Sequence, residues 1–348
     1  MRKSVTLSRI PSGEVRRSEP LHHRLSRPGA LLFTGDVFCD LIFTGADVPV
    51  LGQETYADRF GIAVGGSAIR AVAAARLGAD SRLVATMGDD VIGTHIHALL
   101  RAEPNLDLDE LQTVRGYQSP VSVAISGPHD RGFLTYVEEH SVAVPQRRDD
   151  VAAAHLDVSD AALPWAVEMR EAGTVLVGGV GWDASGEWSS GLLAELDRVD
   201  VFIPNHDEAV AYTRTTDPVS AARALADHVG LAVVTRGAAG VIAVDSANGE
   251  EAEVPGIPVA AVDPTGAGDV FTAALMTSLG EEWTLAERLR FATATAAYSV
   301  TGLGGGASAP TPRELIGFVE RHAADSEWAF LHDWSRRAPL QQTTGTER

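Results

Sequence analysis

From residue 31 to residue 322 short apolar runs alternate with segments whose apolar residues recur every three or four positions. A chain patterned in this way has few folds open to it: strand–helix alternation builds a largely parallel sheet with helices packed on its faces. The runs at 31–34, 82–86, 174–177, 201–204, 231–235 and 241–244 predict buried strands. Helical spacing covers 67–77, 91–101, 187–196, 217–228, 268–279, 285–300 and 311–322. Two stretches break the rhythm, about 42–64 and 113–140, where Val, Thr, Tyr and Phe alternate with polar residues around turn signals such as Gly127-Pro128 and Arg131-Gly132. They predict a small antiparallel flap beside the main sheet. The expected organisation is one α/β domain over 29–325, a doubly wound sheet with a small β lid, followed by an extension over 326–348. In that extension Trp328, Phe330, Leu331 and Trp334 predict a docking segment, and the polar end from Gln341 predicts disorder.

Composition narrows the function classes. With 47 acidic and 28 basic residues the net charge is -19, which argues against a nucleic-acid or anionic-membrane partner. Residues 1–28 run the other way, with seven basic and two acidic side chains, and predict a disordered basic tail. Cys39 is the single cysteine, so no internal disulfide framework or CxxC site exists, and a cytoplasmic location is expected. Its place in an apolar strand makes it a small core residue rather than a reactive thiol. Lys3 is the single lysine. P-loop kinases, protein-kinase-type ATP sites, pyridoxal Schiff bases and lysine aldolases all need a lysine in the folded core, so each is disfavoured. His95 and His97 lack a matching third ligand for zinc.

The most informative segment is Val262-Asp263-Pro264-Thr265-Gly266-Ala267-Gly268-Asp269, followed at once by a helical run. A helix start offers unpaired N–H groups and a partial positive charge, and glycine lets an oxyanion approach the backbone. Asp269 in the first turn would stay a carboxylate and could take a proton from a hydroxyl. A plain loop ending in an N-cap is the competing reading of the segment alone.

The wider pattern Asp-x-Thr-Gly-Ala-Gly-Asp resembles the C-terminal signature of the PfkB, or ribokinase-like, family of carbohydrate and nucleoside kinases. Other landmarks appear in family order: Gly35 to Asp40 as the first strand with its Gly-x4-Asp, Gly65-Gly66 opening a helix, Met87-Gly88-Asp89-Asp90, Asn205-x-x-Glu208, and Thr235-x-Gly237-x-x-Gly240. The resemblance implies ATP as phosphoryl donor and Mg²⁺ as cofactor. Carried over by position, Asp269 is the general base, with the backbone of Gly266, Ala267 and Gly268 as the anion hole. Asn205, Thr235, Gly237, Gly240 and Thr265 would meet the nucleotide. Glu208 would hold Mg²⁺ through water, and Asp40, Gly65, Gly66 and Arg70 would meet the acceptor. Asp263 and Ser308 resemble a loop that binds a monovalent cation such as K⁺ in some relatives. Helix starts and Mg²⁺ would then stand in for the missing lysine.

Arg70 departs from the family, which has asparagine there. Either its guanidinium reads a carboxylate or phosphate on the substrate, or Asp36 or Asp40 neutralises it and the acceptor is a neutral polyol. The leading expectation is an ATP-dependent kinase acting on a hydroxyl of a sugar or sugar derivative, with a homodimer formed through the lid. The alternatives are a nucleoside kinase, with Phe38, Phe43 or Tyr56 stacking a base, and a sugar-binding regulator that has lost the chemistry. Retention of Asp269 and the Gly-Ala-Gly turn speaks against the regulator.

Overall fold

The first apolar run becomes β1 (Ala30–Thr34), buried along its whole length with Leu32 and Phe33 at 0% exposure, and it lies inside a ten-stranded sheet. The computed structural model describes residues 29–127, 131–140, 143–183, 185–322 and 326–337. The expected basic tail and the polar end from Gln341 lie outside these residues. The further strands are β2 (Val37–Thr44), β3 (Arg59–Gly66), β4 (Ser81–Gly88), β5 (Leu106–Asp107), β6 (Leu111–Val114), β7 (Val121–Ser126), β8 (Arg131–Tyr136), β9 (Val151–Asp157), β10 (Val175–Gly179), β11 (Val201–Phe202), β12 (Leu231–Thr235), β13 (Val241–Asp245) and β14 (Glu250–Val254).

The main sheet has the order β14-β13-β12-β11-β10-β9-β1-β4-β5, with β6 also paired to β4. From β12 to β5 the neighbours are parallel, and β13 and β14 extend the sheet antiparallel. Parallel strands need crossovers, and the helices α1 (Ser67–Arg76), α2 (Val91–Arg101), α3 (Pro164–Glu171), α4 (His206–Thr213), α5 (Pro218–Ala226), α6 (Ala267–Ser278), α7 (Leu285–Ser299), α8 (Pro312–His322) and α9 (Ala329–Arg337) supply them and the outer layers. Two apolar clusters draw on the side chains of this sheet. One contains Phe33, Leu83, Val233 and Phe291, and the other contains Leu32, Leu156, Phe202 and Val234.

A second sheet of order β3-β2-β7-β8 forms the lid. Gly35, at φ 125°, turns the chain after β1, so the lid begins at Val37 rather than near 42 and Asp40 lies on β2 instead of the first strand. Conversely, part of the second flap stretch, β6, pairs with β4 in the main sheet.

Three elements differ from expectation for local reasons. Strand β9 reads Val-Ala-Ala-Ala-His-Leu-Asp, with little β-branching to mark it, yet it pairs with both β1 and β10. Residues 187–196 form short 3₁₀ turns instead of a helix, because Trp188 has φ 47° and Ser189 caps Gly191. Helix α4 exists because Asn205 and Glu208 form a reciprocal capping box. The C-terminal extension docks on the chain's own core. Trp283 makes edge contacts with Phe291, Phe330 and Trp334, while Arg290–Glu327 and Arg337–Glu281 ion pairs at 2.6 and 2.8 Å flank the cluster. Among the described residues no helix is long and apolar enough to cross a membrane.

Candidate active site

Strands β9 to β12 run parallel, so their C-terminal ends open on one side of the sheet, the usual place for a site in an open α/β sheet. A cavity of about 720 Å³ lies there, roofed by Phe38, Asp40, Ser122, Phe133 and Thr135 of the lid sheet and floored by the segment from Pro264 to Asp269.

The floor is a helix start held in place from below. Gly266 has φ 74°, and a Cβ there would lie 2.9 Å from Ile69 Cδ1 and 3.3 Å from Gly305 Cα, so the residue must be glycine for both reasons. Asp263, 1% exposed, accepts from Thr265 N–H at 2.9 Å through one oxygen and from Gly304 N–H at 3.0 Å through the other. The carboxylate thus staples the loop before α6 to the loop after α7. Ser308 donates to the Leu303 carbonyl and closes that second loop. No side chain caps α6, and Ala267 N–H reaches the Pro264 carbonyl at 3.3 Å. A Cβ at Gly268 would meet nothing within 4 Å, so the backbone there is open to an incoming group. Thr265 Oγ1 is buried without a partner beside it.

Asp269, in the first turn of α6, faces the cavity and forms an ion pair with Arg70 of α1. Among the described ion pairs Arg70 meets neither Asp36 nor Asp40: Asp36 takes His140 at 2.8 Å, and Asp40 lies on the opposite wall. Asp40 fits because Gly65, its neighbour on β3, has no side chain; a Cβ there would sit 2.2 Å from the Asp40 carboxyl. Burial, then the charges of Asp269 and Asp263, push Asp40 up to about 7. Gly66 reaches the cavity wall directly and Gly65 acts only through this space. His155 on β9 is buried without a partner on Nδ1, and burial, then the Arg70 charge, hold its imidazole well below its ordinary range, so it is neutral.

On the other side Asn205 Oδ1 accepts from Glu208 N–H at 3.0 Å, and Glu208 Oε2 accepts from Asn205 N–H at 2.9 Å. These two residues start helix α4, and both also line the cavity. Burial first, and then nearby Asp207, push Glu208 up against the opposing pull of the Asn205 N–H. Asn205 bridges Thr235 across the ends of β11 and β12, and Thr235, Gly237 and Thr265 share the same wall. Gly240 is not brought there. At φ 91°, with a would-be Cβ 2.1 Å from the Val254 carbonyl, it serves the turn into β13.

Trp182, Phe133, Asp207 and His155 were not anticipated. A signal existed for Trp182, which stands directly after the Gly-rich end of β10, on the side where the parallel strands point. Phe43 and Tyr56, offered as stacking residues, do not line the cavity, whereas Phe38 does. Among the described lining residues there is no lysine or arginine, and no cluster of three or more His, Cys, Asp or Glu side chains could hold a metal.

Residues 31–312 match the model of the pfkB family carbohydrate kinases. The chain is 29% identical over 288 residues to a ribokinase of Haemophilus influenzae, covering 77% of this chain and 91% of that protein. Arabidopsis thaliana ribokinase complexed with ribose and ATP superimposes with a TM-score of 0.69 at 22% identity, covering 84% of this chain and 99% of that one. An Escherichia coli structure designated Ribokinase II, holding ATP and Mg²⁺, gives 0.71 at 20% identity, with 84% and 100% covered.

Proposed function

The chain belongs to the pfkB family of carbohydrate kinases, and on that premise we propose that it transfers the terminal phosphoryl group of ATP to a hydroxyl of a sugar or sugar derivative. The observation that carries this reading is the uncapped start of α6, where Asp269 and the open backbone at Gly268 face the same cavity as the buried carboxyl of Asp40. Asp269 takes the acceptor hydroxyl's proton as the oxygen attacks phosphorus. The backbone of Gly266, Ala267 and Gly268 receives the charge that spreads over the phosphoryl oxygens, helped by the helix dipole. Asp40 accepts hydrogen bonds from acceptor hydroxyls, with Gly66 beside it. Asn205, Thr235, Gly237 and Thr265 meet the nucleotide, and the lid sheet covers the acceptor.

The donor set suits Mg²⁺, because Glu208 and Asp207 bring hard oxygens to a wall with no lysine or arginine. Too few carboxylates gather for a protein-only cage, so the ion would be held by Glu208 through water and by the phosphates, supplying neutralisation of their charge. A K⁺ beside Asp263 and Ser308 belongs to the same reading: Asp263 is almost fully buried, and among the described ion pairs it has no cationic partner. The lid sheet exposes Phe60, Ile62 and Leu134, the surface on which a homodimer would form; sedimentation of the wild type against Leu134→Glu tests it.

Phe38, Phe133 and Trp182 on the cavity wall favour one second reading, a nucleoside acceptor whose base packs on these rings. ADP release measured over a panel of sugars, sugar acids, sugar phosphates and nucleosides tests both. At least one acceptor is expected to raise release well above the acceptor-free rate. A nucleoside outperforming its free sugar selects the second reading, and no acceptor effect at all overturns both.

A further inference from the structure

We propose that Arg70 is a positioning residue for Asp269, fixing the carboxylate of the base at the cavity, and that this engagement restricts the site to acceptors without an anionic group beside the reacting hydroxyl. The proposal rests on the phosphotransfer reading above and specifies its substrate class.

Three observations converge. Arg70 Nη1 donates to Asp269 Oδ1, with the two side chains only 17% and 28% exposed. Arg70 Nε is buried and has no hydrogen-bond partner, so the side of the guanidinium that would grip a carboxylate or phosphate by two parallel bonds is not presented to the cavity. The groups around the pair are acids: Asp40 from β2 and Glu208 from α4, both pushed up by burial, and Asp263 from the loop before α6, while His155 on β9 is neutral and adds nothing positive. An anionic group placed here would meet these acids with Arg70 already engaged by Asp269. A neutral polyol or nucleoside hydroxyl meets an oriented carboxylate instead. Removing the guanidinium takes its positive charge away from Asp269 and leaves the neighbouring acids Asp40, Asp263 and Glu208 in place, which raises the proton affinity of the base.

The test uses wild type, Arg70→Asn and Arg70→Lys with matched neutral and anionic sugars. The wild type should prefer the neutral sugar. Arg70→Asn should lower kcat roughly 10-fold to 100-fold with the nucleotide KM unchanged, and it should move the acid limb of the kcat/KM profile to higher pH. Arg70→Lys should recover part of kcat and of the limb, and Arg70→Gln replaces Arg70→Asn should that variant not fold. Preference for the anionic sugar, loss confined to that sugar, or an unmoved acid limb overturns the proposal. Melting temperatures of Arg70→Asn, Asp269→Asn and the double variant, taken without substrates, give a readout independent of turnover. Non-additive shifts are expected, and additive ones overturn the pairing. Coupled shifts in a protein that turns over no acceptor overturn the phosphotransfer reading while supporting the pair.

Discussion

Where strand ends and helix starts wall the cavity, at Asn205, Thr235 and 264–268, the side chains are tied to nearby backbone: Asn205 with Glu208, and Asp263 with Thr265 and Gly304. What faces inward there is largely main chain. Where the lid walls it, side chains face inward with unequal environments: Asp40 in the space left by Gly65, and Phe38 and Phe133 on the lid sheet, while Arg70 of α1 stands behind Asp269. On the proposed function the first wall would frame phosphate, and the second would be where one acceptor is told from another. Geometry should therefore dominate failures of the first wall, and charge and shape those of the second.

The largest effect is expected where the walls meet. Asp269→Asn should lower kcat roughly 10²-fold to 10⁴-fold while nucleotide binding, read by calorimetry, is kept. Near-normal turnover would remove Asp269 as the base. On the main-chain wall, Gly268→Val should lower kcat roughly 10²-fold at an unchanged melting temperature, since its side chain enters open space where the phosphoryl group is expected. Gly266→Val is the contrast: positive φ and the Ile69 contact should cost about 1–3 kcal/mol of stability. Equal melting temperatures for the two variants would break the distinction.

On the side-chain wall Asp40 links acceptor affinity to pH. Its folded-state value of about 7 lies above that of the unfolded chain. The folded protein therefore binds the extra proton, and this group's contribution to stability is present below the unfolded value and lost as pH rises through about 7. Asp40→Asn should make stability flatter from pH 4 to 8 in denaturant titrations, and raise acceptor KM about tenfold. In the wild type, acceptor KM should fall as pH rises from 6 to 8, because the carboxylate accepts two hydroxyl hydrogen bonds where the acid accepts fewer. A pH-independent KM would take Asp40 out of the acceptor site. The smallest effect is expected at Trp182, 76% exposed. Trp182→Ala should weaken a nucleoside severalfold and leave a free sugar unaffected, and equal changes would count against ring packing.

The same division explains what the sequence disclosed. The main-chain wall depends on glycines, caps and strand ends that occupy contiguous stretches, so 262–271, Asn205–Glu208 and Thr235–Gly237 were recognisable one after another. The side-chain wall is assembled across the chain. Arg70 and Asp269 are 199 positions apart, and nothing local says that they touch. Asp40 was singled out but placed on the first strand instead of β2, because the turn at Gly35 is marked by a single residue. Strand β9 went unseen because alanines satisfy a buried strand through its neighbours rather than through their own propensity. The 3₁₀ turns at 190–198 had helical composition and lost to one left-handed residue, Trp188.

The aromatic clasp at the C-terminal end has a consequence in time. Trp334 and Leu331 are buried against a cluster that includes Phe291 of α7, and α7 packs along α6, the helix that begins at the cavity floor. The chain through Trp334 must leave the ribosome before that half of the molecule can finish closing. Until then the nascent chain carries unburied aromatic surface and relies on whatever shields it, so an early stop codon that spares every residue of the site should still yield an aggregating product.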